Sequence, residues 1–148
     1  MFCCVEFQLA EKNAKLPQLG TSQSAAYDIY CVNEVVLKPG ITQIDSGLIL
    51  SYLSPNIYIQ ILSRSGLALT RNLLTCAGVV DSDFRGRIFI LMHNVSAEPQ
   101  VIHRGERLAQ IVFLPIIRPH SETLNNRCLK ISREDGCLGS TDTVKNEN

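Results

Sequence analysis

Apolar and polar residues alternate along most of this chain in short runs, the period of a strand with one buried face. Val5, Phe7 and Leu9 share one face of residues 4–9. Residues 26–32 and 35–37 are short and apolar, and Pro39-Gly40 marks a turn after them. Strands are expected at 41–44 and 48–53, separated by a break at Asp45-Ser46-Gly47. Ile57, Ile59 and Ile61 again fall on one face, and residues 73–75 and 77–80 flank a compact bend. The run 88–92 is continuously apolar, as in a strand buried on both faces, and 108–114 is another long apolar strand ended by Pro115. Only residues 66–72 have the character of a helical turn or two. Many short strands with regularly spaced turns predict an all-β sandwich or jelly roll.

A chain of 148 residues suits one domain with a real core. The strand pattern fills residues 1–120, whereas 121–148 is largely polar and reads as a mobile tail. Fourteen basic residues are matched by 14 acidic ones. No basic face is evident, which argues against nucleic acid as a partner but leaves room for a small phosphate-bearing ligand. The apolar runs are too short to span a bilayer as helices, and the N-terminal stretch lacks the pattern of a secretion signal. The six cysteines show no paired spacing, so free thiols in a reducing compartment, cytoplasmic or nuclear, are expected. His93, His103 and His120 do not join them at zinc-ligand spacing. The Asn94-Val95-Ser96 sequon follows a core strand and is read as unglycosylated.

Polar residues interrupt the strand pattern in five places. Ser63-Arg64-Ser65-Gly66 combines a glycine, hydroxyls and a guanidinium, which suits a phosphate, though a surface turn with a solvated arginine has the same composition. Asp81 ends an apolar stretch in GVVDSDFRG, where a carboxylate must be satisfied or functional. A turn carboxylate that binds backbone N–H groups is the plainer reading, and Asp83, near Gly86, suits that role better. Asp28, between Tyr27 and Ile29, suits either a site or a salt bridge to an arginine. Gln110 in GERLAQ reads alone as a satisfied polar group in an apolar strand, and 136–141 reads alone as a flexible end.

Taken together, in order and spacing, these five segments resemble the signature motifs of the trimeric dUTP pyrophosphatase family, from about residue 5 to residue 142. The resemblance implies a distorted jelly-roll β-barrel that forms a homotrimer with active sites at the subunit interfaces. The implied reaction is hydrolysis of dUTP to dUMP and pyrophosphate, with water attacking the α-phosphorus in line. By that similarity Asp81 is the general base, which needs only to be ionised. Asp28 holds waters of a Mg²⁺ ion that the phosphates chelate. Arg64, Ser65, Gly66 and Gln110 contact phosphate oxygens or the attacking water, Ser65 and Gln110 with a catalytic share. Residues 73–84, Gly78 among them, form a β-hairpin that takes uracil, and Phe84 stands where the family has a tyrosine beneath the deoxyribose. In the tail, Arg133 reaches the γ-phosphate, and Leu138, Gly139, Ser140 and Thr141 close over the substrate as a lid.

The chain departs from the family pattern mainly in that lid. Ala26 replaces a usual glycine, a mild change. Glu134, Asp135 and Cys137 replace small or glycine residues, Leu138 replaces a phenylalanine that stacks on the base, and Asp142 replaces a glycine. Weaker lid closure, with a lower rate or higher KM, is the expected result. The eroded lid also motivates an alternative: a protein of this fold that serves as a binding or signalling partner, with catalysis reduced or lost. A deaminase of the related dCTP type is disfavoured, because Val79-Val80-Asp81 offers no glutamate base in that region.

Overall fold

The structure is a computed structural model of the chain, in which residues 3–119 are described. The tail expected at 121–148, with Arg133, Leu138, Gly139, Ser140 and Thr141, lies outside the described residues.

The strands are β1 (Val5–Leu9), β2 (Gln18–Leu19), β3 (Tyr27–Tyr30), β4 (Val35–Leu37), β5 (Gly40–Leu53), β6 (Ile57–Leu62), β7 (Leu73–Cys76), β8 (Val79–Val80), β9 (Gly86–Asn94), β10 (Gln100–Ile102) and β11 (Arg107–Pro115). One short helix, α1 (Ser65–Arg71), separates β6 from β7. Every strand pairing is antiparallel. One sheet runs β1-β5-β9-β7, a second runs β2-β3-β11-β6-β8, and β10-β4 form a small ribbon. Both large sheets feed one apolar core, which includes Ile29, Ile59 and Ile111 from the second sheet and Leu48, Leu50 and Ile90 from the first. Burying each such side chain contributes about 1.5–3 kcal/mol. This is the all-β jelly roll that the alternation predicts.

Three local readings are corrected. Asp45-Ser46-Gly47 does not divide two strands, because β5 runs through it as a bulge where the pairing with β9 shifts between Asp45 and Ile49. The polar atoms there satisfy what the bulge leaves unpaired: Ser46 donates to the Ile88 carbonyl at 2.6 Å, and Gly47 N–H donates to the Asp45 carboxylate at 2.8 Å. Gly47 takes φ +71°, and a Cβ there would come within 2.7 Å of the Ala14 Cβ. The β9 strand is not buried on both faces. Ile88, Ile90 and Met92 face the core, while Phe89 stays 41% exposed on the other side. Finally, residues 73–84 are no hairpin of mutually paired strands. The β7 strand pairs with β9 in one sheet and β8 with β6 in the other, so this segment crosses between sheets. Ala77 (φ +58°) and Gly78 (φ +127°) make the crossing.

The sequon asparagine is closed to modification. Asn94 is buried, and its amide donates to the carbonyls of Leu37 (3.0 Å) and Glu98 (2.8 Å). Cys3, Cys4, Cys31 and Cys76 are free thiols, of which Cys3 and Cys4 are exposed and Cys31 is buried. Burial raises the Cys31 thiol from 9.0 to about 11, against a lowering contribution from the Asn33 backbone and with a further push from Glu106. The unfolded chain loses this proton near pH 9 while the folded chain keeps it. The contribution to stability is therefore whole below pH 9 and is eroded as pH climbs toward 11, by roughly 2–3 kcal/mol at full titration. Denaturation curves recorded from pH 8 to 11 on the parent and on Cys31→Ala should diverge in slope over that window. Parallel curves would remove Cys31 as a cause.

Candidate active site

The second sheet brings three of the motif residues together. Asp28 (β3) and Gln110 (β11) are directly paired across neighbouring strands. Gln110 is in turn paired with Leu62, the last residue of β6, so the loop that follows β6 starts beside them. Arg64, the N-cap of α1, reaches back from that loop. Asp28 is only 4% exposed, a position a carboxylate tolerates only when its oxygens are occupied. Its Oδ1 accepts from Arg64 Nε at 3.1 Å and from Gln110 Nε2 at 3.4 Å, and its Oδ2 accepts from Arg107 Nη1 at 3.4 Å. Arg64 also donates to the Arg107 carbonyl at 3.5 Å. The salt-bridge reading of Asp28 thus holds, and two of its three partners were themselves site candidates. Arg107 was passed over. It sits within GERLAQ, but only the fold shows that it reaches Asp28.

Ser65 and Gly66 follow Arg64 and are exposed. Nothing lies within 4 Å of where a Cβ on Gly66 would point, and its φ is not positive. The fold itself therefore does not require glycine at 66. What glycine gives there is an open approach to the backbone.

A second group forms around the crossing between sheets. Gly78, Asp81 and Phe84 line a cavity of about 330 Å³, walled by Cys76 and Ala77 and floored by Phe89 and Leu91. The outward residues of β9 thus find their use here. Gly78 is held tightly: its carbonyl accepts from Ile61 N–H at 2.7 Å, and a Cβ would meet the Ile61 carbonyl oxygen at 2.7 Å. The turn after β8 closes through Phe84 N–H to the Asp81 carbonyl at 3.1 Å, and Arg85 donates to the carbonyls of Ser82 and Phe84. Among the described residues the Asp83 carboxylate holds no backbone N–H, so the turn role expected for it falls to backbone atoms and Arg85. Asp81 itself is exposed at the cavity, and among the described residues its carboxylate accepts no hydrogen bond.

Among the described residues, no three of histidine, cysteine, aspartate and glutamate converge as a cage for a metal, and no helix is long and apolar enough to cross a membrane. The molecule is thus a jelly-roll protein that carries a guanidinium–carboxylate cluster and a small cavity lined by an exposed aspartate. The dUTPase family profile matches residues 12–142. A deoxyuridine 5'-triphosphate nucleotidohydrolase of Hydrogenobaculum is 35% identical over 136 residues, covering 88% of this chain and 92% of that protein. One from Anaplasma marginale is 38% identical over 133 residues, covering 86% and 89%. Among solved structures, a variant dUTPase of Staphylococcus bacteriophage 80alpha with dUpNHpp superposes with a TM-score of 0.79 at 23% identity, over 93% of this chain and 98% of that one. A phage phi11 dUTPase, described with a structural Mg(II) ion, gives 0.76 at 22% identity over 85% and 99%. The chain belongs to the dUTPase family.

Proposed function

We propose that this protein hydrolyses dUTP to dUMP and pyrophosphate. The observation that carries the reading is the match to the dUTPase family along residues 12–142, within which the motif residues form the Asp28 cluster and the Gly78 cavity. Asp81 acts as the general base on the water that attacks the α-phosphorus. Its exposure leaves it open to that water, and among the described residues it forms no ion pair. Arg64 presents charge and a planar donor fork to phosphate oxygens, Ser65 adds a hydroxyl, and Gly66 leaves room for the chain of phosphates. Gln110 orients the attacking water or a phosphate oxygen, held in place by Asp28. Gly78 and its neighbours offer backbone groups to the base, and Phe84 lies beneath the sugar.

Asp28, Arg64 and Gln110 are not among the described residues that line the cavity, which favours a homotrimer whose sites are completed between subunits. Arg133, Leu138, Gly139, Ser140 and Thr141 would come to such a site as the lid at the end of a separate tail. Asp28 fits Mg²⁺ only as a holder of the ion's waters: a lone carboxylate between two guanidiniums cannot cage a cation, but Mg²⁺ commonly keeps several waters and takes its other ligands from phosphates. Bound Mg²⁺ would neutralise charge on the triphosphate. A cytoplasmic or nuclear setting suits the exposed free thiols.

The direct test incubates the full chain with Mg²⁺ and dUTP, dCTP, dTTP or UTP in turn and follows pyrophosphate and monophosphate. Turnover of dUTP alone is expected. A folded protein that turns over none of them would point instead to the binding or signalling role. In the same assay Leu138→Phe should raise kcat/KM roughly fivefold or more, because it restores a stacking ring to the lid. An unchanged kcat/KM would mean that residue 138 does not limit closure.

A further inference from the structure

The mechanism gives Ser63 no role, yet it sits where the two sheets meet. It directly follows β6 in the second sheet and precedes Arg64. Its Oγ accepts from Thr75 N–H at 2.8 Å and lies 2.9 Å from Thr75 Oγ1. Thr75 belongs to β7, an edge strand of the first sheet that among the described residues pairs only with β9, and its N–H points to Ser63 on the open side. A half-buried edge N–H needs an acceptor, and among the described residues Ser63 supplies it. Two residues before Ser63, Ile61 N–H holds the Gly78 carbonyl, so residues 61–63 are stitched to 75–78 at both ends.

We infer that Ser63 is a positioning residue for the proposed hydrolysis: its hydroxyl fixes the Arg64–Ser65–Gly66 start of α1 against β7, and so sets where the phosphate-binding groups stand. This rests on the dUTPase reading above. The cavity wall at 76–78 has other supports, namely the β7–β9 ladder and the Ile61–Gly78 bond. On the opposite side Arg64 reaches Asp28 and the Arg107 carbonyl, contacts that must adapt when Arg64 turns to a phosphate. Loss of the Ser63 hydroxyl therefore loosens the phosphate side of the site more than the base side.

The test compares the full-length parent with Ser63→Ala and Ser63→Thr. The parent is first assayed on dUTP; Ser63→Ala should then lose about tenfold in kcat. The inhibition constant of dUMP, which reads mainly the base and sugar side, should change by no more than about threefold. Ser63→Thr keeps the hydroxyl and should return kcat to within about twofold of the parent. Amide exchange at Thr75 should accelerate in Ser63→Ala and not in Ser63→Thr. If Ser63→Ala keeps parental kcat, or if the threonine variant fails to restore it while protecting the Thr75 amide, the positioning role is wrong although the enzyme assignment stands. A folded parent without dUTP turnover overturns the assignment and the inference together.

Discussion

Asp81→Asn should reduce kcat for dUTP by about 10²–10⁴-fold, the usual share of a positioned general base. Asparagine keeps the shape of the side chain but cannot take a proton from water. The fold should be indifferent to the change. Asp81 is exposed, and the bond that closes its turn uses the backbone carbonyl, which the substitution leaves in place. Unfolding free energy should therefore stay within about 0.5 kcal/mol of the parent. Affinity for a non-hydrolysable dUTP analogue should stay within about threefold, because the proposed role of the removed charge is toward the attacking water and not the base. The deciding measurements are single-turnover rate, analogue binding and thermal melting on one preparation. A variant that keeps more than about a tenth of the parental rate would transfer the base to another group.

Gly78→Ala should damage stability and substrate affinity together. The residue has φ +127°, a region that L side chains rarely adopt, and the added Cβ would stand 2.7 Å from the Ile61 carbonyl oxygen and 3.1 Å from the Ile61 Cβ. Because the first of these is backbone within a paired strand, it cannot turn aside as a flexible side chain would. Strain of order 1–3 kcal/mol, with about 1 kcal/mol more if the Ile61–Gly78 hydrogen bond is lost, lowers the melting temperature by roughly 5–15 °C. The cavity wall moves with the backbone, so KM for dUTP should rise about tenfold or more. Gly66→Ala makes the informative contrast. Its Cβ meets nothing within 4 Å and its φ is not positive, so stability should change by less than about 0.5 kcal/mol. Equal melting losses at both positions would mean that the crossing between sheets is more pliable than its geometry implies.

What the sequence disclosed follows from how local each signal was. The β6 and β11 strands could be read directly, since Ile57, Ile59 and Ile61 alternate and 108–114 is a long apolar run. The β2 and β10 strands could not. They are only two and three residues long, and both residues of β2 are exposed, so neither imposes a clear period. The Asp45-Ser46-Gly47 stretch has turn chemistry, and it stays in the strand because a distant carbonyl, that of Ile88, takes up the serine hydroxyl. Phe89 reads as core from its neighbours, but the sheet turns it outward to the cavity floor. At the site, the order and spacing of the motifs, and not residue type alone, singled out Asp28, Arg64 and Gln110. Their convergence could not be read, because Arg64 and Gln110 lie 36 and 82 positions from Asp28 and meet it only through strand pairing. Arg107, 79 positions from Asp28, was missed for the same reason.

The passage of the chain from one sheet to the other at Ala77 and Gly78 has an evolutionary consequence. The wall it builds beside the cavity is shaped by dihedral angles and by backbone hydrogen bonds, while side chains such as Val79 point largely to solvent (63% exposed). Recognition written in main-chain atoms does not depend on the identity of most residues that carry it. A lineage can therefore replace much of its sequence around such a wall and still keep its shape, so long as the glycine hinge survives.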